Sequence, residues 1–282
     1  MILVIGATGN IGREVVKELA VRKERFKVLS RSPEKAKTLA GGEFVQGDCT
    51  KAESLEPAMR GVEKIFFVPA ASPELARHHE VVVEVAKKAG AKQVVKVSVI
   101  GADAEAPLSI AKMHRDGETA LEDSGLAWTH LRPGMFMSNW LHNAGSVKKD
   151  GAVHAPTGDG KIAPIDPKDI AEVGVVALTQ GGHEGKAYTL TGPEALSFQQ
   201  QCDILAKVIG KPVKHVDVPA EAAKHAMLRN GMPAWLVDGL LAVHAETKGG
   251  RTAFVSQEFE QVTGRKGRTI EAWFKENSAA FK

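Results

Sequence analysis

Gly6, Gly9 and Gly12 recur at intervals of three directly after the apolar run Ile2 to Ile5, and Ile11, Val15, Val16 and Leu19 follow with helical spacing. Strand, glycine turn and helix in that order is the context in which glycines hold a dinucleotide. Gly6 permits the tight turn, Gly9 lets backbone approach a pyrophosphate, and Gly12 lets helix and strand pack closely. Ala7, Thr8, Asn10 and Ile11 complete the turn, and the helix N-terminus behind it offers unpaired N–H groups and a partial positive charge to phosphate. The spacing is G-x-x-G-x-x-G, which favours the short-chain and epimerase type of site.

The end of the next strand selects the cofactor. A site for NAD places Asp or Glu there to bind the ribose 2′-hydroxyl. This chain has Ser30 and Arg31, with Lys35 a turn later. A carboxylate would repel a 2′-phosphate, whereas a guanidinium holds one with charge-assisted hydrogen bonds. NADP(H) is therefore expected in preference to NAD(H). A solvated surface arginine is the plainer reading of Arg31. Asp48 closes the third strand, either to accept from an adenine amino group or as an ordinary turn aspartate. Val68, Pro69 and Ala70 close the fourth with a shelf of small residues for the ribose.

A proton donor is harder to find. The chain has one tyrosine, Tyr188, and Gly192 stands four residues on, so Tyr-x-x-x-Lys is excluded. His114 and Glu118 are four apart and share one face of a helix. A carboxylate beside an imidazole raises its pKa and orients it, which suits a general acid; a plain surface pair has the same spacing. Lys112 is a lesser substitute. Beyond the sixth strand, Pro133, Gly134 and Met135 would pass the nicotinamide, and Phe136, Met137, Asn139 and Trp140 would form an apolar, adaptable substrate wall. Core packing would use the same Met and aromatic residues. His78 and His79 have no partners at metal-ligand spacing and read as a solvated helix face, and no metal is expected.

These residues need a scaffold that delivers strand ends to one edge. Strand-like segments at 2–5, 26–30, 43–46, 64–68, 93–99 and 127–131 alternate with helical ones at 33–39, 52–59, 73–89 and 110–123. The alternation implies α/β architecture: a Rossmann-type, doubly wound parallel sheet whose ligands bind outside the carboxyl ends of the strands. Residues 1–150 are assigned to this dinucleotide-binding domain. Residues 151–282 are assigned to a smaller α+β lobe covering the crevice, with some segments packing back. In it 167–178, 197–209, 220–247 and 269–277 read as helical, 187–191 and 213–218 as extended, and 151–160 as turn-rich.

Composition sets limits on partners. The 282 residues carry 37 Lys and Arg against 34 Asp and Glu, a net charge of +3, with no basic stripe interleaved with aromatics, so nucleic-acid binding gains no support. Cys49 and Cys202 suggest neither a metal site nor a disulfide framework. The first strand begins at residue 2, with no charged n-region before it, and no apolar run reaches the ~18 residues a membrane helix needs. A cytoplasmic protein with no membrane partner is expected; the oligomeric state is not legible.

Several segments together resemble the NmrA-like branch of atypical short-chain dehydrogenases, which includes triphenylmethane reductase-like and type 2 quinone oxidoreductase-like proteins. They are Gly6 to Gly12, Ser30 to Lys35, His114 to Glu118, Ser124 to Thr129, Leu131 to Asn139, Ile165 to Ala171 and Tyr188 to Glu194. The likeness implies cofactor contacts at Gly6 to Ile11, Arg31, Val68 to Ala70 and Gly134 to Asn139. It also sharpens the view of His114, which falls at or near the place of a catalytic lysine in isoflavone-reductase-like enzymes. Ser98 lies where other short-chain enzymes keep a polar residue near the substrate. The implied activity is NADPH-dependent reduction of a small apolar conjugated acceptor such as a quinone, with His114 donating the proton and Glu118 orienting it. The alternative the resemblance carries is a non-catalytic NADP(H) sensor. An epimerase or dehydratase would need a stronger base than the sequence offers.

Overall fold

Ile2, Leu3, Val4 and Ile5 are all buried, so the first strand has no polar face and must lie inside a sheet covered on both sides. The computed structural model describes residues 1–39, 41–105 and 108–282. In chain order the first half runs β1 (Ile2–Ile5), α1 (Asn10–Val21), β2 (Phe26–Ser30), α2 (Pro33–Ala36), β3 (Glu43–Gln46), α3 (Ala52–Ala58), β4 (Lys64–Phe67), α4 (Leu75–Lys88), β5 (Gln93–Val97), α5 (Ser109–Glu122) and β6 (Ala127–Pro133). A 3-10 turn (Met137–Asn143) then leads through α6 (Ala144–Asp150), β7 (Ala152–Ala155) and β8 (Lys161–Ile162) to α7 (Pro167–Thr179) and β9 (Lys186–Leu190). The rest comprises β10 (Leu196–Ser197), α8 (Phe198–Ile209), β11 (Lys214–Asp217), α9 (Ala220–Arg229), α10 (Ala234–Lys248), α11 (Glu258–Thr263) and α12 (Ile270–Asn277).

Seven strands form one sheet in the order β3-β2-β1-β4-β5-β6-β9, and each neighbouring pair is parallel. The order reverses between β1 and β4, where Ile5 lies opposite Phe67, and this switch point opens a crevice at the carboxyl edge. One face is packed by Val15, Val16 and Leu19 of α1 with Ile170, Val173 and Ala177 of α7. The other is packed by Leu55 of α3, Val82 and Ala86 of α4 and Leu121 of α5. No helix among the described residues is long and apolar enough to cross a membrane.

The doubly wound parallel sheet expected from the alternation is present, and it has one strand more than the six placed there. β9 returns to pair with β6, Thr129 opposite Lys186 through Pro133 opposite Leu190. α7 packs on α1, with ten of its thirteen residues buried. Both elements lie beyond residue 150. Conversely, Met137, Trp140 and Val147, before it, share a core with Phe198, Leu205 and Phe274 of the second lobe. Elements from both sides of residue 150 therefore pack into the same layers. The turn-rich stretch contains β7 and β8, and the helix expected over 220–247 breaks at Gly231, which has φ of +81°, ahead of Pro233.

Candidate functional site

Each glycine of the turn after β1 has a different reason to be glycine. Gly6 has φ of +82°, and a Cβ there would lie 2.5 Å from the Val68 carbonyl oxygen. At Gly12 a Cβ would lie 2.2 Å from the Gly6 carbonyl oxygen, so α1 rests directly on the turn. Gly9 is different: its φ of −80° suits any residue, and a Cβ would meet only the Gly6 oxygen at 3.4 Å. Nothing among the described residues requires glycine there. Gly9 caps α1 without a side-chain hydrogen bond, and the first turn of the helix carries no acidic residue. The helix thus presents bare N–H groups beside a residue with no side chain, which is the form a pyrophosphate needs.

The other cofactor candidates fall along the same edge. Ser30 is buried, and its hydroxyl is spent on a local turn with Ser32. Arg31 is exposed and joins no hydrogen bond or ion pair among the described residues, and Lys35 is exposed one turn into α2. Asp48 Oδ1 accepts from the N–H and hydroxyl of Thr50 at 3.0 and 2.9 Å. Burial works against its charge, but those bonds and the neighbouring Arg31 and Lys51 keep its carboxyl below the ordinary range. Val68 and Pro69 are half-buried and Ala70 is exposed. The loop after β6 reaches the glycine turn directly: Asn10 Nδ2 donates to Ser138 Oγ at 3.3 Å. Its backbone is fixed, with Gly134 N–H on the Leu190 carbonyl, Ile165 N–H on that of Met135, and the Pro133 carbonyl accepting from Ile100.

The residues expected to form a substrate wall differ in burial. Met135, Phe136 and Asn139 are half-buried. Met137 and Trp140 are buried and face the second lobe, correcting their assignment to substrate. Trp140 packs on Phe274 at 4.9 Å between ring centres and donates to Gln201 Oε1 at 2.8 Å. Sequence reasoning read the α10 segment as helical but gave it no place at the site. Gly239 of this helix sits against Ile110 at the start of α5, and its far end runs beside Gly160 and β8. Trp235, Leu236, Leu240, Leu241 and Val243 are neither exposed nor fully buried. A helix apolar on several faces yet incompletely covered is suited to bordering an apolar ligand.

On α5 the expected pairing of His114 with Glu118 does not occur. Glu118 is fully buried and takes a bidentate pair from Arg132, at 3.0 and 2.8 Å, plus Arg115 at 3.0 Å. Burial pushes its carboxyl up, but Arg132 overrides this and holds it at about 2. Arg115 continues to Glu122 at 2.8 and 2.9 Å, and Glu122 accepts from buried His130 at 3.1 Å. Arg132 also pairs with Asp103. His114 lies beside this network: burial and the charge of Lys96 depress its pKa to about 3, the opposite of the elevation its spacing suggested. Lys112 is exposed and tied to Asp116 at 3.1 Å, outside the crevice. His79 is not on a solvated face: it is 1% exposed, hydrogen-bonds the Leu75 carbonyl at 2.7 Å, and lies 6.3 Å from the His114 ring.

Comparison with known families adds the last observation: the sequence model of a family described as NAD(P)H-binding matches residues 6–181. The chain belongs to the NAD(P)H-binding family. It is similar to an NAD(P)H azoreductase of Xenophilus azovorans, 38% identical over all of this chain and 99% of the relative. Among solved structures it resembles an NADPH-dependent quinone oxidoreductase of Escherichia coli complexed with NADPH, with a TM-score of 0.89 and 30% identity over 99% of this chain and all of the other. A triphenylmethane reductase of Citrobacter sp. complexed with NADP(H) gives 0.87 and 27% over 98% and 99%. The chain is thus an NAD(P)H-dependent reductase.

Lys96 was also missed. It is fully buried in β5 and donates to the His114 carbonyl oxygen at 3.1 Å. Its signal was available: β5 reads Gln-Val-Val-Lys-Val, and a lysine inside an interior parallel strand must be buried.

Proposed function

We propose that the protein reduces small, largely apolar conjugated acceptors, quinones foremost, and prefers NADPH to NADH. One observation carries this reading: the turn after β1 leaves the α1 N-terminus bare at a glycine, and Arg31 at the end of the adjacent β2 joins no ion pair among the described residues. The relatives support the acceptor class, since they are named for azo, quinone and triphenylmethane substrates. The reduced nicotinamide supplies hydride when bound. The α1 N-terminus and Gly9 hold the pyrophosphate, and Arg31 and Lys35 receive the 2′-phosphate. The backbone of Pro133 to Met135, anchored on β9 and Ile165, gives the nicotinamide end a fixed shelf. Met135, Phe136 and α10 exclude water and keep the acceptor in register, the main source of acceleration for a two-reactant transfer. His114 stands at the polar side as the proton-passing group.

The test is NADPH oxidation, followed by absorbance, against quinones, azo and triphenylmethane dyes and enones. Acceptor-dependent turnover is expected. Tight NADP(H) binding with no turnover across the panel would replace the reductase by a sensor. Arg31→Ala is expected to weaken NADPH by roughly 10- to 100-fold, the loss of one charge-assisted phosphate contact, and to leave NADH nearly unchanged. Calorimetric titration of both cofactors checks this, and equal losses for the two would remove Arg31 from 2′-phosphate recognition.

A further inference from the structure

Strand alternation sets Lys96 on the same side of β5 as Val94 and Ser98, facing α4 and α5. The titratable and charged groups about it are His79 from α4; His114, Arg115, Glu118 and Glu122 from α5; and His130 and Arg132 from β6. Both carboxylates are already engaged, Glu118 by Arg132 and Arg115, and Glu122 by Arg115 and His130. Among the described residues Lys96 joins no ion pair, and its three donors have one partner, the His114 carbonyl oxygen.

Four buried polar atoms in the same region also have no partner among the described residues: His79 Nε2, Ser98 Oγ, His114 Nδ1 and His130 Nδ1. The hydrogen bond from His79 Nδ1 to the Leu75 carbonyl puts that ring's proton on Nδ1, so Nε2 is an acceptor. Spare donors on Lys96 and spare acceptors on the histidines, buried in one region, are the groups that an ordered water would satisfy. Ser98 follows β5 directly at its carboxyl edge, where the crevice lies, and His114 stands in the second turn of α5, the helix that follows.

We propose that Lys96 is the proton source of the reduction, passing a proton through buried water to His114 Nδ1 while His114 Nε2 gives one to the reduced acceptor. The proposal rests on the reductase reading. Hydride brings the acceptor one hydrogen and two electrons. The imidazole loses one proton and gains one, staying neutral, so its weak basicity is no obstacle; once product has left, a proton from the open crevice returns by the reverse path through His114, which resets the tautomer and recharges the Lys96 amine. Burial, aided by Arg132 and Arg115 and opposed by Glu118, brings Lys96 down to about 7, where an ammonium both holds and releases a proton readily. Lys96 acts through His114 and is a positioning residue.

Two measurements test this. In wild type, kcat is expected to fall as pH rises through about 7, the midpoint of Lys96. Lys96→Met is expected to lower kcat by about 10- to 100-fold below that midpoint, to leave KM unchanged, and to abolish the step. An unchanged profile in an active variant overturns the proposal. Independently, lysine labelled at the ε-carbon is followed by NMR in the wild-type protein without acceptor. One resonance should titrate near 7, with the His114 and His79 ring signals moving at the same midpoint. Its absence overturns the proton coupling whatever the kinetics show. If wild type turns over no acceptor, the reductase reading fails with it, and the NMR result alone decides whether Lys96 and His114 are coupled.

Discussion

Glu118→Leu is expected to lower the unfolding free energy at neutral pH by about 3–5 kcal/mol, the usual cost of removing one partner from a buried ion pair. The carboxylate is fully buried, and its removal leaves Arg132, which is 9% exposed, only the exposed Asp103 as a partner, with Arg115 and Lys96 nearby. Linkage gives the same scale. Arg132 holds the folded carboxyl at about 2 against the ordinary 4.5, and a shift of that size corresponds to roughly 3 kcal/mol. Because the folded value is the lower one, this stability is complete above the unfolded value and is lost as pH falls from there through the folded one. Denaturant unfolding followed by circular dichroism at pH values across that window reads both effects. The double variant Glu118→Leu, Arg132→Met is expected to recover a large part of the loss, since an apolar pair of similar bulk avoids the stranded charge. A single variant within about 1 kcal/mol of wild type would show that the pair contributes specificity without stability. Either result bears on mechanism, because a carboxylate tied to two arginines fixes the α5–β6 junction and is not free to orient His114.

The elements that could be read in advance were those whose cause is local. The apolar run Ile2 to Ile5, the glycines behind it and the helical repeat of Ile11, Val15 and Leu19 determine β1, the turn and α1 together, and the structure has them in place. β9 was recognisable as a strand, but no local property of Lys-Ala-Tyr-Thr-Leu says which sheet receives it. That depends on α7, whose nearly all-round burial between α1 and the sheet is visible only once the layers are stacked. Met137 and Trp140 failed for a related reason: an apolar side chain beside a predicted crevice has the same sequence signature whether it lines a pocket or fills a core. The buried histidine was different. Leu75, His79, Val82 and Ala86 share helical spacing, so His79 belongs to the apolar stripe of α4 by the rule that placed Val15 in α1. Gly117 records the same fact from α5, because a Cβ there would lie 2.5 Å from the His79 ring. His114 and Glu118 do share a helix face as their spacing required. What spacing could not reveal is that Arg132, fourteen residues on, reaches Glu118 first.

Substituting alanine at two neighbouring glycines separates cofactor binding from folding. Gly12→Ala is expected to cost about 3 kcal/mol or more, because its Cβ meets backbone at 2.2 Å (Gly6 O) and 2.7 Å (Ala7 Cα) and α1 must lift from the turn. Gly9→Ala should leave stability within about 0.5 kcal/mol, as the added methyl has only ordinary contact with the Gly6 oxygen. The same methyl stands at the bare N-terminus of α1, where it displaces phosphate from the N–H groups; NADPH affinity is expected to fall by roughly 10- to 100-fold, the loss of one or two charge-assisted hydrogen bonds. Thermal unfolding without ligand and calorimetric titration with NADPH distinguish the two variants. The decisive pattern is a stable Gly9→Ala protein that binds poorly. If that protein binds NADPH as wild type does, the pyrophosphate does not approach Gly9. If it is instead as unstable as Gly12→Ala, the glycine answers a packing demand, and an N-terminus merely left bare by the fold would no longer mark the cofactor site.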